Sequence, residues 1–208
     1  MRFRDIFVIA AVPVLGALAG QAAWAGPAID LTSPGLTYDA SAFTLGFEFT
    51  VTGTQSITAL GVFNGGQASL PASASVGLWN TSGTLLTSIT IPRGTGATGT
   101  TDFTYASITP YTLSPGTDYI IGSYLAAQVS SYNTGQGGVA SVNPDVTIVE
   151  DQYASSNSLT FPSSTDSYTG GAWLGANFVL GSSVPEPATL ALLGAGLFGL
   201  GLARRRRG

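Results

Sequence analysis

The sequence predicts an all-β protein: a single antiparallel β-sandwich or jelly-roll-like domain, flanked by an N-terminal signal-peptide helix and a C-terminal membrane helix. Three observations predict it. Apolar and polar residues alternate from Phe43 to Val51, which is the period of a half-buried strand. Short β-rich runs are separated by turns rich in Gly, Pro and Asn. The interior of the chain contains no long amphipathic helical pattern, which favours packed antiparallel sheets.

The N-terminal segment, residues 1–25, has the layout of a secretory signal peptide. A basic start precedes an apolar run, and Ala23-Trp24-Ala25 fits an A-x-A cleavage site. Cleavage is predicted between Ala25 and Gly26. An uncleaved anchor is the alternative, which the placement of the cleavage site disfavours. The exported body is then residues 26–182, about the size of one domain.

Two strands are predicted at the start of the body. The apolar face of the first comprises Phe43, Leu45, Phe47, Phe49 and Val51. Its polar face comprises Thr44, Gly46, Glu48 and Thr50. The second strand, from Ile57 to Phe63, is apolar on both faces, so a central position in a sheet is expected. The run from Asn64 to Gln67 then turns the chain.

A hairpin and a tyrosine corner are predicted in the middle of the body. Val76 to Trp79 and Thr84 to Ile91 flank the turn from Asn80 to Gly83. Phe103 to Ile108 resumes the strand alternation, with Phe103 and Tyr105 on one side. The run from Leu113 to Tyr119 places a Pro-Gly turn just before a strand tyrosine, as in the tyrosine corners of β-sandwiches.

The last third of the body has weaker patterning. Ser130 to Pro144 is interpreted as a long loop, Val146 to Val149 as a strand, and Tyr153 to Gly171 as mostly polar chain. Trp173 to Leu180 is the closing strand. Its apolar face comprises Leu174, Ala176, Phe178 and Leu180. About eight strands are therefore expected.

The C-terminal segment, residues 183–208, has three parts. Its rigid motif is Pro185, Glu186 and Pro187, and an uncharged run from Ala188 to Ala203 follows. A basic cluster ends it, made up of Arg204, Arg205, Arg206 and Arg207. Glu186 and the arginines suit the two ends of a helix dipole. A plain membrane anchor is the alternative interpretation, although sixteen residues are short of the ~20 that a spanning helix needs.

This tail resembles the PEP-CTERM sorting signal of Gram-negative bacteria that make exopolysaccharide. The resemblance lies in the Val-Pro-Glu-Pro motif, the short apolar helix and the arginine cluster, in that order. It implies that a membrane-embedded exosortase recognises the motif of Pro185, Glu186 and Pro187. It also implies export across the inner membrane, transient anchoring there, and final placement at the cell surface or in the extracellular matrix, with exopolysaccharide as a further partner.

The body resembles an uncharacterised β-sandwich domain that often precedes this signal. The resemblance rests on Gly46 to Phe63, Val76 to Leu86 and Gly175 to Phe178, and spans roughly Leu36 to Leu180. The loop after the second strand is usually acidic in that family, whereas Asn64 to Leu70 contains no carboxylate here. A calcium-binding role is therefore not expected for this loop.

The charge of the body excludes nucleic acid as a partner. Arg93 is its one strong cation. Its nine acids are Asp30, Asp39, Glu48, Asp102, Asp118, Asp145, Glu150, Asp151 and Asp166. One positive charge against nine negative charges leaves a net charge of −8, which repels phosphate backbones.

The chain contains neither cysteine nor histidine. Disulfides, thiol nucleophiles, thiolate or imidazole zinc sites and Ser-His-Asp catalysis are therefore excluded. Carboxylate chemistry is what remains, with Glu48, Glu150 and Asp151 as candidate acid and base. Solvated surface charge is the simpler interpretation of all three, since Glu48 falls on a polar strand face and Glu150-Asp151 ends a strand.

Metal and cofactor sites are not predicted. Calcium could bind oxygen ligands, for which the candidates are Asp145, Glu150, Asp151 and Asp166. The chain has no D-x-D-x-D-G run to support such a site.

Three hypotheses for the body follow. The first is a noncatalytic surface or matrix protein. The second is a glycan-binding module with Trp79, Tyr132 or Trp173 as stacking platforms, although Trp79 and Trp173 lie within apolar strands, where core packing is the simpler role. The third is a carboxylate-dependent enzyme. The first is favoured because the chain carries two export signals and few catalytic groups.

Overall fold

The computed structural model describes residues 26–33, 37–39, 42–97, 102–125, 130–132, 139–165 and 172–181. All regular secondary structure in these ranges is β-strand, and the strands pair antiparallel, which confirms the predicted all-β class. The strands are β1 (Gly26–Pro27), β2 (Ile29–Ser33), β3 (Thr37–Asp39), β4 (Phe43–Val51), β5 (Gln55–Phe63), β6 (Ala74–Asn80), β7 (Leu85–Ile91), β8 (Phe103–Leu113), β9 (Tyr119–Leu125), β10 (Ser130–Tyr132), β11 (Val139–Val142), β12 (Val146–Ser155) and β13 (Ala176–Gly181).

Two sheets form a sandwich-like domain. The five-stranded sheet has the order β12-β4-β9-β6-β7, and the four-stranded sheet has the order β1-β13-β5-β8. Strand β5 lies between β13 and β8, which confirms the central position that its two apolar faces predicted. The closing strand β13 is also interior, because β1 pairs with its other side.

The core lies between the two sheets. Phe47 and Phe49 project from β4, and Phe178 projects from β13 to meet them, with the ring centroids of Phe49 and Phe178 4.7 Å apart. The alternating apolar residues predicted for β4 and β13 supply much of this core. Burial of such side chains contributes about 1.5–3 kcal/mol each.

A second aromatic cluster covers the outer face of the four-stranded sheet. Phe63 and Phe103 oppose each other across β5 and β8, with ring centroids 5.9 Å apart. The rings of Phe103 and Tyr105 lie 6.0 Å apart, which confirms that these two share one face of their strand.

The region from Ser130 to Pro144 was wrongly predicted as loop throughout. Strand β10 pairs with β3, and β11 pairs with β2, so two short ribbons form as separate two-stranded sheets. The described residues contain thirteen strands, more than the eight or so expected. Strands of two to four residues are too short to show a period of two, and only their distant partners reveal them.

The β6–β7 hairpin forms as predicted. The Asn80 side-chain oxygen accepts hydrogen bonds from the backbone N–H groups of Ser82 and Thr84, at 3.1 and 2.8 Å. Gly83 has a φ of +83°, a conformation that favours glycine. The turn chemistry in the sequence therefore sets the register of this pair.

No helix in the described part of the chain is long and apolar enough to cross a membrane. The two helices predicted at the ends of the chain, in residues 1–25 and 188–203, lie outside the described residues.

Candidate functional site

The sorting tail itself lies beyond the described residues. Pro185, Glu186, Pro187 and the four arginines, like Ala25 at the predicted cleavage position, therefore stay sequence predictions. The strand that leads into the tail is described. Gly181, its last residue, opposes Ser56 of β5, and the preceding Leu180 opposes Gly26 of β1. The predicted first mature residue thus lies beside the second-to-last residue of the strand that leads into the tail.

The side chain of Asn177 connects β13 to Ile29, near the start of the body. This side chain is fully buried, and it accepts a hydrogen bond from Ile29 N at 3.2 Å while donating one to Ile29 O at 2.7 Å. It therefore pairs with Ile29 as a neighbouring strand backbone would. A buried amide satisfied in this way stabilises the junction, whereas an unpaired one would cost about 1–3 kcal/mol.

Tyr105 completes this network from the far side of β5. Its ring lies across Gly61, where any side chain would overlap it, and its hydroxyl accepts a hydrogen bond from Asn177 Nδ2 at 2.8 Å. Burial raises the pKa of the Tyr105 hydroxyl above its usual 10.0, and the nearby Asp30 carboxylate adds to this. The neutral hydroxyl is therefore the form that the fold favours.

Two of the candidate carboxylates lie together. Glu48 of β4 and Glu150 of β12 are directly opposed, on the outer face of the five-stranded sheet. Gln152 Nε2 donates to Glu150 Oε1 at 3.2 Å and to Glu48 Oε2 at 3.5 Å. Partial burial raises the pKa of Glu48, and the charges of Asp118 and Glu150 raise it further. Like charges on directly opposed residues are destabilising, which the amide of Gln152 partly offsets.

Asp151 is separated from that pair, and the expectation that it is a solvated charge at a strand end is wrong. Strand β12 continues to Ser155, and Asp151 opposes Phe47 and is only 3% exposed. Successive residues of a strand point to opposite faces, so Glu150 and Asp151 cannot act on one substrate atom. A break in the pairing register between Ile148 and Glu150 places the two acids in this way.

The calcium candidates are not gathered into one site in the described residues. Asp145 lies in a turn, where its Oδ1 accepts a hydrogen bond from Thr52 Oγ1 at 3.1 Å. Asp166 lies outside the described residues. No group of three or more acidic side chains in the described part of the chain could hold a metal ion.

The three candidate glycan platforms differ in environment. Trp79 lies over Gly77 and is only 4% exposed, because Phe161 packs on it with ring centroids 6.1 Å apart. Trp173 is half-buried just before β13. Tyr132 lies in β10, of which the structure describes the backbone pairing with β3. A flat stacking platform at Trp79 is therefore closed in this structure.

The cover over Trp79 belongs to a segment that the sequence did not reveal, residues 156–165, here called the strap. It crosses the outer face of the five-stranded sheet. Thr44 Oγ1 accepts from Thr160 N at 3.0 Å and donates to Ser158 O at 3.3 Å. Pro162 lies close over Gly122. The only signal available was a row of glycines, Gly46, Gly122 and Gly77, which are aligned across β4, β9 and β6. The strap contacts the middle one, Gly122.

Comparison with known families accounts for both parts of the chain. Residues 32–174 match a family described as a domain of unknown function, DUF4082, over more than half of the chain. The chain belongs to that family. Residues 183–207 match the PEP-CTERM protein-sorting motif, so both resemblances drawn from the sequence are confirmed. No curated protein matches the chain.

The sorting motif identifies the chain as an exported protein that an exosortase processes, with a transient membrane anchor at its C-terminal end. The DUF4082 match ends before β13 begins, and it starts after β1. Both strands nevertheless pair within the four-stranded sheet. The folded unit therefore extends beyond the family match and reaches almost to the sorting motif.

Proposed function

We propose that the protein is a noncatalytic component of the cell surface or extracellular matrix, associated with exopolysaccharide, that an exosortase delivers through its C-terminal motif. The observation that carries the proposal is the position of the motif. It begins at residue 183, two residues after the last residue of β13. The tail is thus attached directly to a folded domain, as expected of a signal that delivers that domain.

The placement of the carboxylates supports a noncatalytic role. Asp151 is turned away from Glu150, and Gln152 occupies the space between Glu48 and Glu150 by hydrogen bonding to both. Paired-carboxylate hydrolases hold two carboxyl groups on either side of a bound substrate. Here the amide of Gln152 takes the place of the substrate between them.

Delivery is tested by expressing the full chain in a host with its cognate exosortase and in the same host without it. We expect the mature form to lose residues 1–25 in both hosts, and to lose the tail and leave the inner membrane only where the exosortase is present. Intact mass and cell fractionation measure this. Glu186→Ala should retain the tail in both hosts, whereas Gln67→Ala, an exposed change in the body, should behave as the unsubstituted chain.

Intact tails and inner-membrane residence of the unsubstituted chain in both hosts would instead identify a permanent anchor. The noncatalytic assignment has its own test, in which the purified body is incubated with the polysaccharide of its host. Depolymerisation that Glu48→Gln abolishes would contradict it.

Glycan binding by the body is the second candidate, and the partial exposure of Trp173 is the observation that favours it. A glycan array probed with the unsubstituted body and with Trp173→Ala distinguishes the two. Binding that is lost in Trp173→Ala and retained in Phe43→Ala would assign a glycan site at Trp173. The absence of any binding would remove this candidate.

A further inference from the structure

The segment between the folded domain and Pro185 of the sorting motif is short; it consists of residues 182–184 and is here called the tether. Gly181 ends β13, and Pro185 follows four residues later. Consecutive Cα atoms are about 3.8 Å apart, so the Cα atom of Pro185 lies within about 15 Å of that of Gly181 in any conformation. Two packed sheets are themselves separated by about 10 Å. An enzyme that binds the motif therefore meets the folded domain as well.

Strand β13 is not free to detach and lengthen this tether. It pairs with β1 on one side and with β5 on the other. Ala176, Phe178 and Leu180 are fully buried, and Asn177 is hydrogen-bonded to Ile29. Release of β13 would expose all of these groups and open the core. The motif is therefore presented by a domain that stays folded up to Gly181.

Three turns lie at the end of the sandwich next to Gly181: residues 52–54, 114–118 and 143–145. These turns, together with Gly26 and Gly181, are here called the anchor pole. The β6–β7 turn lies at the same end, beside β9. Hydrogen bonds hold the turns to one another: Thr52 N donates to Asp145 O at 3.1 Å, and Gly116 N donates to Val51 O at 3.4 Å. Residues 114–118 are exposed. Ser56 connects the turns to the tether, since it opposes both Gly181 and Thr112.

The charge of the anchor pole is negative. Its described residues include two carboxylates, Asp118 and Asp145, and no arginine or lysine. The α-amino group that cleavage before Gly26 would leave adds one positive charge, so the pole stays net negative. Arg93 lies at the opposite end of the sandwich, where its backbone N–H bonds to Ser73 Oγ just before β6. A surface that meets the anchor pole must therefore be uncharged or basic, because like charges across a contact are strongly unfavourable.

We propose that the anchor pole docks on the exosortase while the enzyme processes the motif. The inference rests on sorting by an exosortase, and it adds a recognition surface in the folded domain. The partner that contacts the anchor pole is the exosortase, because the short tether brings the motif and the anchor pole within reach of one protein surface at the same time. The enzyme's contacting surface carries the complementary, basic charge.

The test measures how fast full-length protein loses its tail in a host with the exosortase, by pulse labelling and intact mass. Thr54→Arg and Thr117→Arg place a cation on exposed positions of the anchor pole, and Gln67→Arg places one at the opposite end. We expect the two pole variants to be processed about tenfold more slowly, a modest penalty for one unfavourable interfacial charge. Gln67→Arg should keep the unsubstituted rate. Unsubstituted rates in both pole variants, or equal slowing by Gln67→Arg, would overturn the proposal.

A longer tether separates docking from folding defects. Twelve Gly/Ser residues inserted after Gly181 add about 20 Å of root-mean-square reach. The motif can then reach the enzyme without the anchor pole, so the inserted chain should be processed equally fast with and without Thr54→Arg. Persistent slowing by Thr54→Arg in the inserted chain would show that the substitution acts elsewhere, and the proposal would fall.

A disulfide tests whether the domain stays folded. Ala59 and Val179 oppose each other across β5 and β13, and the chain has no other cysteine, so Ala59→Cys with Val179→Cys can pin β13 in place. Processing of the oxidised and reduced forms at the same rate is expected. Processing that requires reduction would overturn the proposal, because β13 would then have to detach.

The membrane is the alternative partner of the anchor pole, and a host without exosortase tests this alternative. There, a water-soluble maleimide should label Thr54→Cys as fast as Gln67→Cys, since both positions are exposed and the chain has no cysteine of its own. Protection of Thr54→Cys alone would show that the anchor pole contacts lipid, and the proposal would be wrong. A failure of the unsubstituted chain to lose its tail in any host would instead count against exosortase sorting itself.

Discussion

At the scale of single residues, Tyr119 shows how much a local sequence pattern can predict. Its hydroxyl accepts a hydrogen bond from Ser114 N at 2.9 Å, which closes the turn of residues 114–118. The Pro-Gly turn followed by a strand tyrosine predicted this contact, and the structure confirms it. The prediction succeeded because both partners lie within five residues, so no distant strand had to be known.

Tyr119→Phe should lower the free energy of unfolding by about 0.5–1.5 kcal/mol, the usual net contribution of one hydrogen bond. The ring stays in the core, so the loss reports the hydroxyl alone. Urea unfolding of the body measures it. Tyr124→Phe is the control, because the Tyr124 hydroxyl has no hydrogen bond among the described residues. An equal effect of the two substitutions would show that the turn contact is not stabilising.

Asn177 and Tyr105 show the opposite case. Asn177 bonds to Ile29, which is 148 positions away in the chain, and Tyr105 reaches Asn177 only because Gly61 leaves room for its ring. An isolated Asn in an apolar strand predicts nothing about its partner. The contact exists because β13, β5 and β8 are adjacent in one sheet.

Tyr105 should make the body sensitive to alkaline pH. Its pKa is raised in the folded state, so its contribution is complete below about pH 10, where both states are neutral, and is lost as pH rises further. The unfolding free energy should therefore fall by up to about 1.4 kcal/mol per pH unit above that point. Urea unfolding between pH 8 and 11 measures the slope.

Tyr105→Phe should be less stable than the unsubstituted body at pH 8 and should lose less stability at pH 11. A slope that Tyr105→Phe leaves unchanged would assign the alkaline effect to other groups, such as Tyr111, whose pKa is also raised by burial and by Tyr119.

At the scale of secondary-structure elements, the burial of strand β4 was predicted correctly for one face and incompletely for the other. Leu45, Phe47 and Phe49 are buried in the core as the alternation indicated. Thr44 and Gly46, on the face expected to be polar and exposed, are buried as well. The strap covers Thr44, and its polar sequence gave no reason to expect burial. The backbone of β9 lies against Gly46. The strap contacts this face through hydrogen bonds to Thr44 and through Pro162 on Gly122. The covered surface therefore lacks the apolar pattern that would normally predict its burial.

Phe161→Ala should loosen the strap and expose Trp79. Loss of a half-buried aromatic ring costs about 1–2 kcal/mol, less than the 3–5 kcal/mol for a fully buried one. Acrylamide quenching of tryptophan fluorescence measures the exposure, in a Trp173→Phe background that leaves Trp79 as the one tryptophan of the body. Phe43→Ala is the matched control, because Phe43 packs on Tyr153, with ring centroids 6.4 Å apart. Unchanged quenching in Phe161→Ala would show that the sheet alone covers Trp79.

At the scale of the whole molecule, the closing strand joins the two ends of the body. Strand β13 lies between β1 and β5, so the four-stranded sheet is incomplete until residues 176–181 are in place. Burying Phe178 and Leu180 contributes about 3–6 kcal/mol together, which is comparable to the whole stability of a small domain. The domain can therefore complete its fold only after residues 176–181, next to the sorting motif, have been exported.

A chain of residues 26–181 should fold, and a chain of residues 26–175 should not. The shorter chain loses an interior strand and leaves β1 and β5 without their common neighbour. Near-ultraviolet circular dichroism with urea titration measures this, and we expect a cooperative transition in the longer chain alone. Phe178→Ala in the longer chain should lower the midpoint without abolishing the transition. A cooperative transition of equal midpoint in the shorter chain would contradict the role assigned to β13.

Local patterns in the sequence were sufficient to predict the fold class, the hairpin, the tyrosine corner, the core faces of β4 and β13, and the sorting motif. Each of these depends on periods or turn residues within about a dozen positions. Four features could be found in the three-dimensional fold alone: the ribbons of β10 and β11, the burial of Asp151, the cover that the strap places over Trp79, and the pairing of Gly26 with Leu180. These depend on which distant strands are neighbours. In an antiparallel sandwich, hydrogen bonds between remote segments set that adjacency, and it leaves no local pattern in the chain.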